Sequence, residues 1–162
     1  MPTFQIHISK AYLSFCAAHF ITYDGHQCEA LHGHNYRARL RLAGPLDENA
    51  YVVDFTRVKK IMRALCDELD HAVLLPLHNP HLTLTSDSDS VTVLYKNRRY
   101  VFPRADTRLL PIANTTAEML AQYLHGRAEA ALRALPVSAL AWLEVEVEEA
   151  PGQSAVCREE WR

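Results

Sequence analysis

The sequence lacks the features of membrane-spanning, secreted and nucleic-acid-binding chains. Its longest apolar runs fall far short of the roughly 20 residues that a membrane helix needs. The 17 basic and 19 acidic side chains give a net charge of −2, so charge offers no reason to bind nucleic acid or an anionic membrane. The first residues, MPTFQIHISK, show no basic stretch followed by an apolar one. We therefore expect no secretory signal and a cytoplasmic protein.

CxxC spacing is also absent. The four cysteines stand far apart in the chain, at Cys16, Cys28, Cys66 and Cys157. In a reducing cytosol such thiols stay unpaired, so we expect buried or reactive cysteines rather than disulfides.

The composition is that of an ordinary globular domain. Of 162 residues, 49% are hydrophobic and 22% are charged, and we find neither an internal repeat nor a low-complexity linker. This length corresponds to about one domain, so we expect residues 1–162 to fold as a single unit.

Two segments have the periodicity of helices that bury one face. The first follows Asp54, a good N-cap, and places apolar residues at helical spacing from Phe55 to Leu69. The second opens with TTAE, Thr115 to Glu118, which has the form of a capping box, and Pro136 would lie beyond its end. These patterns predict two amphipathic helices.

Segments of alternating polarity flank the helices. They are TFQIHIS and HNYRARLRL before them and ALAWLEVEVEE and SAVCREE after them. This order predicts an α+β domain with the helices on one face of an antiparallel sheet. Between the helices, SVTVLYKNRRYVFP predicts an additional hairpin, residues 91–95 against 99–102.

The stretch CEALHGHNYRARL places two histidines on the apolar face of a strand. Residues two apart share a face, so His32 and His34 project with Tyr36 into the apolar side. Two polar rings are costly there unless something binds them, and imidazole suits zinc and other transition metals. His19 in SFCAAHF would supply a third ligand if its strand lay beside the second. The same counting in the last strands turns Glu149 inward, while its glutamate neighbours point outward.

These motifs together resemble one known family. FCAAHF, CEALHGHNY, VVDF, LDH, NTTAE and EEAP occur in the order and approximate spacing of the 6-pyruvoyltetrahydropterin and 6-carboxytetrahydropterin synthases. The resemblance implies a tunnelling (T-) fold, a four-stranded antiparallel sheet with two helices on one face. It also implies a homo-oligomer, a hexamer built as a dimer of trimers.

The resemblance also implies roles for individual residues. His19, His32 and His34 match the zinc ligands, Cys28 the general base, and Asp70 with His71 a pair that assists proton transfer. Glu149 matches the residue that anchors the pterin ring, and Thr116 matches a threonine near that ring. The implied reaction converts 7,8-dihydroneopterin triphosphate to 6-carboxy-5,6,7,8-tetrahydropterin, acetaldehyde and triphosphate, a step toward queuosine-type deazapurines. One of Arg37, Arg39 and Arg41 could bind the triphosphate.

Three alternatives stay open. The product could be the 6-pyruvoyl pterin, formed by triphosphate elimination. The chain could instead cleave dihydroneopterin for folate synthesis with a glutamate as base, since Glu29 adjoins Cys28. It could also be a non-catalytic pterin-binding paralogue, which the long insertion at about 78–112 would suit. We expect residues 86–110 of that insertion to extend a subunit interface or to cover the mouth of the site.

Overall fold

The structure is a computed structural model that describes residues 3–135 and 139–161. Pro136, expected just beyond the second helix, lies outside the described residues. The two helices are α1 (Phe55–Leu69) and α2 (Ala117–Arg133). The strands are β1 (Phe4–Ile8), β2 (Ser14–His19), β3 (Thr22–Tyr23), β4 (Gln27–Cys28), β5 (His32–Gly44), β6 (Ala72–Pro76), β7 (Thr83–Ser86), β8 (Ser90–Tyr95), β9 (Arg98–Pro103), β10 (Thr107–Leu110), β11 (Trp142–Ala150) and β12 (Gln153–Glu160).

A curled main sheet and two helices form the body of the protein, which confirms the α+β class. The strand order is β10-β6-β2-β5-β11-β12, and β1 pairs with the second half of β5. The long strand β5 is central, with antiparallel neighbours on both sides. Its inward residues Tyr36, Leu40 and Leu42 are fully buried in the same core as the apolar faces of α1 and α2. The predicted alternation of β5 is therefore correct.

The main sheet is larger than the four antiparallel strands that we expected. The expected four correspond to β5, β11, β12 and the segment divided into β1 and β2, while β6 and β10 add parallel pairings at one side. Parallel neighbours need a long crossover connection, and the insertion between the helices supplies it. These two strands, AVLLP and TRLL, are short and lack alternation, so their sequence carries no period-two signal.

Both helices begin with side-chain caps. The Asp54 carboxylate accepts a hydrogen bond from the Thr56 backbone N–H at 2.7 Å, as predicted. For α2 the cap is Thr116, whose hydroxyl accepts from Met119 N–H, and not Thr115, where the capping-box pattern placed it. Thr115 is fully buried and its hydroxyl donates to the Phe20 carbonyl, so tertiary packing moved the start of the helix by one residue.

The insertion forms a separate three-stranded sheet. The predicted hairpin is present as β8 and β9, with Val91 opposite Phe102 and a turn at residues 96 and 97. A third strand, β7, pairs with β8 and was not predicted. This small sheet encloses a second apolar cluster, which we call the insertion cluster: Phe20, Cys28, Leu75, Leu82, Val91, Val93 and Tyr95.

Neither α1 nor α2, the two α-helices of the described ranges, has the length and apolar character needed to cross a membrane.

Candidate functional site

Three histidines meet where β2 ends and β5 begins. In the antiparallel register His19 lies opposite His32, and Ala17 lies opposite His34. All three rings therefore project from one face of the sheet, with centroids 4.7 Å apart for His19 and His32, 5.2 Å for His19 and His34, and 4.8 Å for His32 and His34. The predicted adjacency of His19 to the other two is thus present.

Backbone carbonyls determine which ring nitrogens face the centre of this cluster. His19 Nδ1 lies 2.8 Å from the Thr115 carbonyl, and His32 Nδ1 lies 2.9 Å from the Ala30 carbonyl. Each Nδ1–H donates to its carbonyl, which leaves Nε2 with a free lone pair. The Nε2 atoms of His19 and His34 are buried without a hydrogen-bond partner. Burial also lowers the pKa of His19, which favours the neutral ring. Buried Nε2 atoms without a hydrogen-bond partner are available to bind a metal ion.

Glu149 completes the cluster from the end of β11. The β11–β12 register is irregular between Glu148 and Ala150, a bulge at which Glu149 has no partner residue in the β11–β12 register. Its Oε1 lies 3.0 Å from His34 Nε2, without hydrogen-bond geometry. The ligand atoms of His19, His32, His34 and Glu149 all lie within 4.8 Å of one another, so the four residues could hold a metal ion. The inward direction predicted for Glu149 agrees with this position.

A cavity of about 380 Å³ opens beside the cluster. Thr116, Glu118 and the edge of β12 line it together with His19 and Glu149. Thr116 thus lies at the cavity as well as at the start of α2, which agrees with the location expected for a substrate-binding residue.

Comparison with known proteins identifies the family. The sequence model of the 6-pyruvoyl tetrahydropterin synthases matches residues 7–160. The chain belongs to this family. A protein of Methanocaldococcus jannaschii, provisionally named 6-carboxy-5,6,7,8-tetrahydropterin synthase, is 37% identical over 148 residues, 90% of each chain. The 6-carboxy-5,6,7,8-tetrahydropterin synthase of Haemophilus influenzae is 32% identical over 127 residues, 74% of this chain and 79% of that one.

A solved structure matches over the whole chain. The 6-pyruvoyltetrahydropterin synthase of Plasmodium vivax superposes with a TM-score of 0.92 at 30% identity, covering 99% of each chain. In that structure alanine replaces a glutamate that is named as a catalytic residue. In the chain described here, Glu29, Glu118 and Glu149 are the acidic residues among those that line the cavity.

Cys28, the base that the resemblance implies, packs away from the histidine cluster. It is buried in the insertion cluster, and its Sγ lies 3.5 Å from the Glu29 carbonyl oxygen. Burial raises the pKa of the thiol, an effect that nearby Arg98 partly offsets. This shift disfavours the thiolate form that a base would need, and the role of Cys28 as base stays a prediction.

Glu29, the neighbouring residue, faces the cavity instead. Its Oε2 lies 3.9 Å from His32 Nε2 and accepts a hydrogen bond from Ile21 N–H at 3.3 Å. The only signal for it in the sequence is its position beside Cys28 and three residues before His32. A carboxylate at this position can accept a proton from a molecule bound next to the histidines.

Asp70 and His71 are paired but lie on the other face of the sheet. Asp70 accepts from Cys16 N–H at 2.7 Å, and its second oxygen lies 2.9 Å from His71 Nδ1. These hydrogen bonds, that from Cys16 first, lower the pKa of Asp70. His71 N–H donates to the Cys16 carbonyl, which places His71 beside Cys16 on the sheet face opposite to His19. The His71 side chain is 83% exposed there. The structure thus does not bring this pair to the cavity of its own subunit.

The arginines considered for the triphosphate also face away from the cavity. Arg39 donates to Glu146 at 2.6 Å and to Glu148, and Arg41 donates to Glu144 at 2.6 Å. These ion pairs occupy the side of β5 opposite to His32 and His34. Arg37 is exposed on that same side. Within a single subunit none of the three arginines can reach a ligand in the cavity.

Proposed function

We propose that the protein is a zinc-dependent lyase that converts 7,8-dihydroneopterin triphosphate to 6-carboxy-5,6,7,8-tetrahydropterin, acetaldehyde and triphosphate. The observation that carries this proposal is the cluster of three histidines beside a cavity with a carboxylate, in which the Nε2 atoms of His19 and His34 are buried without a hydrogen-bond partner. The names of the two curated relatives favour the 6-carboxy product over the 6-pyruvoyl product. Deazapurine synthesis of the queuosine type is the pathway that fits this product.

The donor set suits zinc. Three neutral imidazoles with room for a further ligand are the usual ligands of a catalytic zinc ion. When bound, such an ion polarises substrate oxygens and makes the adjacent C–H bonds more acidic. His19, His32 and His34 would hold the ion, and the Nδ1 contacts to Thr115 and Ala30 would keep the rings of His19 and His32 oriented toward it.

Glu149 and Thr116 would bind the pterin ring. A carboxylate can accept two N–H donors at once, as the amino-pyrimidine edge of a pterin requires. Because Glu149 touches His34, a ring held by Glu149 would lie directly beside the histidines. Thr116 lines the same cavity and offers a backbone N–H at the positive end of α2.

The position of Glu29 supports a second candidate, cleavage of dihydroneopterin with a glutamate as base. Glu29 faces the cavity whereas Cys28 is buried among apolar side chains. The catalytic glutamate named in the Plasmodium vivax 6-pyruvoyltetrahydropterin synthase supports a glutamate as base, but not a choice between the reactions. Either Glu29 or Cys28 could take a proton from the substrate. The two candidate reactions give different products, and the two candidate bases predict that different substitutions abolish activity.

Product analysis separates the candidates. We would incubate zinc-loaded protein with 7,8-dihydroneopterin triphosphate, without reductase, and identify the products by mass spectrometry. Acetaldehyde with 6-carboxytetrahydropterin would support the main proposal, and a 6-pyruvoyl product would replace it. If zinc-loaded protein does not turn over the triphosphate, the same assay with dihydroneopterin tests the second candidate, and absence of turnover on both substrates would favour a non-catalytic binding protein.

Paired variants identify the base. If Glu29 is the base, Glu29→Gln lowers kcat by about 10²-fold to 10⁴-fold, whereas Cys28→Ala has little effect. Full turnover of Glu29→Gln together with loss in Cys28→Ala would assign the role to the thiol. Zinc content, measured on both variants, controls for damage to the metal cluster.

Asp70 and His71 fit this reaction in an oligomer. Because the pair lies on the face opposite to its own cavity, we propose that it serves the site of a neighbouring subunit. A cation for the triphosphate would come from a neighbour for the same reason. The resemblance favours a hexamer, and no membrane or nucleic-acid partner is proposed.

A further inference from the structure

One guanidinium group joins the insertion to the backbone beside the candidate base. Arg98 is the first residue of β9, on the small sheet formed by β7, β8 and β9. Its Nη2 donates to the Cys28 carbonyl at 2.7 Å and its Nη1 donates to the Glu29 carbonyl at 2.9 Å. One planar fork thus holds two consecutive carbonyls, an arrangement that restricts their orientation more than separate single bonds would.

Neighbouring residues of the same hairpin hold the preceding part of this loop. The Tyr95 hydroxyl and the Lys96 ammonium, at 2.8 Å for the latter, both donate to the His26 carbonyl. The guanidinium of Arg98 also lies over the Tyr95 ring, 5.3 Å from its centroid. Three hairpin side chains therefore fix three carbonyls of residues 26–29.

The opposite side of the loop is held by the main body of the protein. Glu29 N–H donates to the Ile21 carbonyl at 3.0 Å, and the Glu29 carboxylate accepts from Ile21 N–H. The backbone of Glu29 is thus bound on one side by residue 21 and on the other by Arg98. Its side chain extends between these two contacts into the cavity that His19 lines.

We propose that Arg98 is a positioning residue that holds Glu29 at the cavity, and that the insertion serves to fix the loop that carries both candidate bases. Arg98 acts through main-chain carbonyls and need not touch the substrate. Only the kinetic consequence of this proposal rests on the proposed pterin chemistry. The restraint that Arg98 places on the loop does not depend on any reaction.

Arg99 provides a matched control. It is the next residue of β9 and has the same charge, but it is exposed and points to the other face of the strand. Arg98→Ala and Arg99→Ala therefore remove equal charge from adjacent positions, and only the first removes the bonds to residues 28 and 29. Arg98→Lys keeps the charge but loses the fork.

The first measurement follows the loop without any substrate. We would alkylate the native protein with iodoacetamide and determine the rate at each cysteine by peptide mass spectrometry. In Arg98→Ala the rate at buried Cys28 should rise about tenfold or more, because loss of charge-assisted hydrogen bonds makes local opening easier. Exposed Cys16 is an internal reference that should not change. An unchanged rate at Cys28, or an equal rise in Arg99→Ala, would overturn the proposal.

The second measurement is kinetic. With pterin substrate, Arg98→Ala should lower kcat by about tenfold to a hundredfold with little change in KM or zinc content, as expected when a reacting group is displaced. Arg98→Lys should recover part of kcat. Loss of zinc, or a change confined to KM, would contradict a positioning role. If the unmodified protein does not turn over pterin, the proposed function fails, whereas the alkylation result still decides the restraint on the loop.

Discussion

At the scale of single residues, Thr115 connects the histidine cluster to the core. Its carbonyl accepts from His19 Nδ1–H, and its hydroxyl donates to the Phe20 carbonyl at 3.1 Å. The residue is fully buried, so water cannot replace either bond. Thr115 therefore stabilises the structure through these hydrogen bonds and is not the helix cap that the capping-box pattern predicted.

Replacing Thr115 with valine should destabilise the fold. The change keeps the shape of the side chain but removes the buried hydroxyl, which should lower the free energy of unfolding by about 1–3 kcal/mol. Urea denaturation followed by circular dichroism measures this difference. Thr115→Ser, which keeps the hydroxyl, is the control and should lose less. Equal losses in the two variants would show that the methyl group, and not the hydrogen bond, stabilises this position.

Asp70 should make stability depend on pH in the acid range. Hydrogen bonds from Cys16 N–H and His71 lower the pKa of the folded-state carboxyl below 3.8, its ordinary value. Its contribution to stability is therefore complete above pH 3.8 and is lost as the pH falls through the folded-state pKa. The difference in unfolding free energy between wild type and Asp70→Asn should be constant near neutral pH and shrink in this acid range. Asp67→Asn, in the last turn of α1 just before Asp70, is the control. A difference that grows on acidification would contradict this sign.

At the scale of secondary-structure elements, the close contact of β2 and β5 brings the histidines together. Gly33 lies between His32 and His34, and a Cβ atom there would lie 3.3 Å from the Ala17 carbonyl oxygen. That neighbour is backbone, so the two strands would have to move apart. The glycine of the HGH motif thus permits the strand spacing on which the cluster depends.

Gly33→Ala should therefore weaken metal binding while the fold persists. We expect about a tenfold loss of zinc affinity, similar to the loss seen when residues that orient metal ligands are mutated. Competition with a chelator measures the affinity. Gly126→Ala is the control, because a Cβ atom at that helical position meets nothing within 4 Å. Unchanged affinity in Gly33→Ala would show that β2 can shift without moving His19.

The insertion is also an element whose extent only the structure defines. Its own sheet spans residues 83–103, whereas residues 107–110 form β10, a strand of the main sheet. A deletion meant to remove the insertion should therefore leave β10 intact. Whether the insertion also reaches a subunit interface or covers the site stays a prediction.

At the scale of the whole molecule, the two sheet faces differ in what they carry. The helix side holds the core and, at its end, the histidine cluster with its cavity. The other side carries the ion pairs of Arg39 and Arg41 and the pair of Asp70 with His71. A single subunit thus presents its two groups of candidate catalytic residues on opposite faces.

Mixing two inactive variants tests whether subunits share a site. If Glu29 and His71 act in the same site but come from different subunits, Glu29→Gln and His71→Ala should each be inactive alone. Hetero-oligomers of the two, co-expressed with different tags, should regain activity because some sites contain neither change. Sedimentation velocity would give the size of the assembly relative to the 18.4 kDa chain. Mixed assemblies no more active than their parents would place both residues in one subunit's site.

The sequence by itself determined the fold class, the buried face of β5 and the shared face of His32 and His34, because these depend on local periodicity, whereas His19 joins them only through the pairing of β2 with β5. Side chains two residues apart on a strand share a face whatever surrounds them, so His32 and His34 could be paired and Glu149 turned inward from spacing alone.

Tertiary structure alone decided what depends on neighbours distant in sequence. Strands β6 and β10 pair across 30 residues of insertion, and their short sequences lack a periodic signal. Cys28 and Glu29 are adjacent in sequence, yet the insertion buries the first and leaves the second at the cavity. Asp70 and His71 match the family motif but face away from the histidines, since the register of β6 against β2 determines their side of the sheet. Long-range packing therefore decided which residues of a recognisable motif share a site.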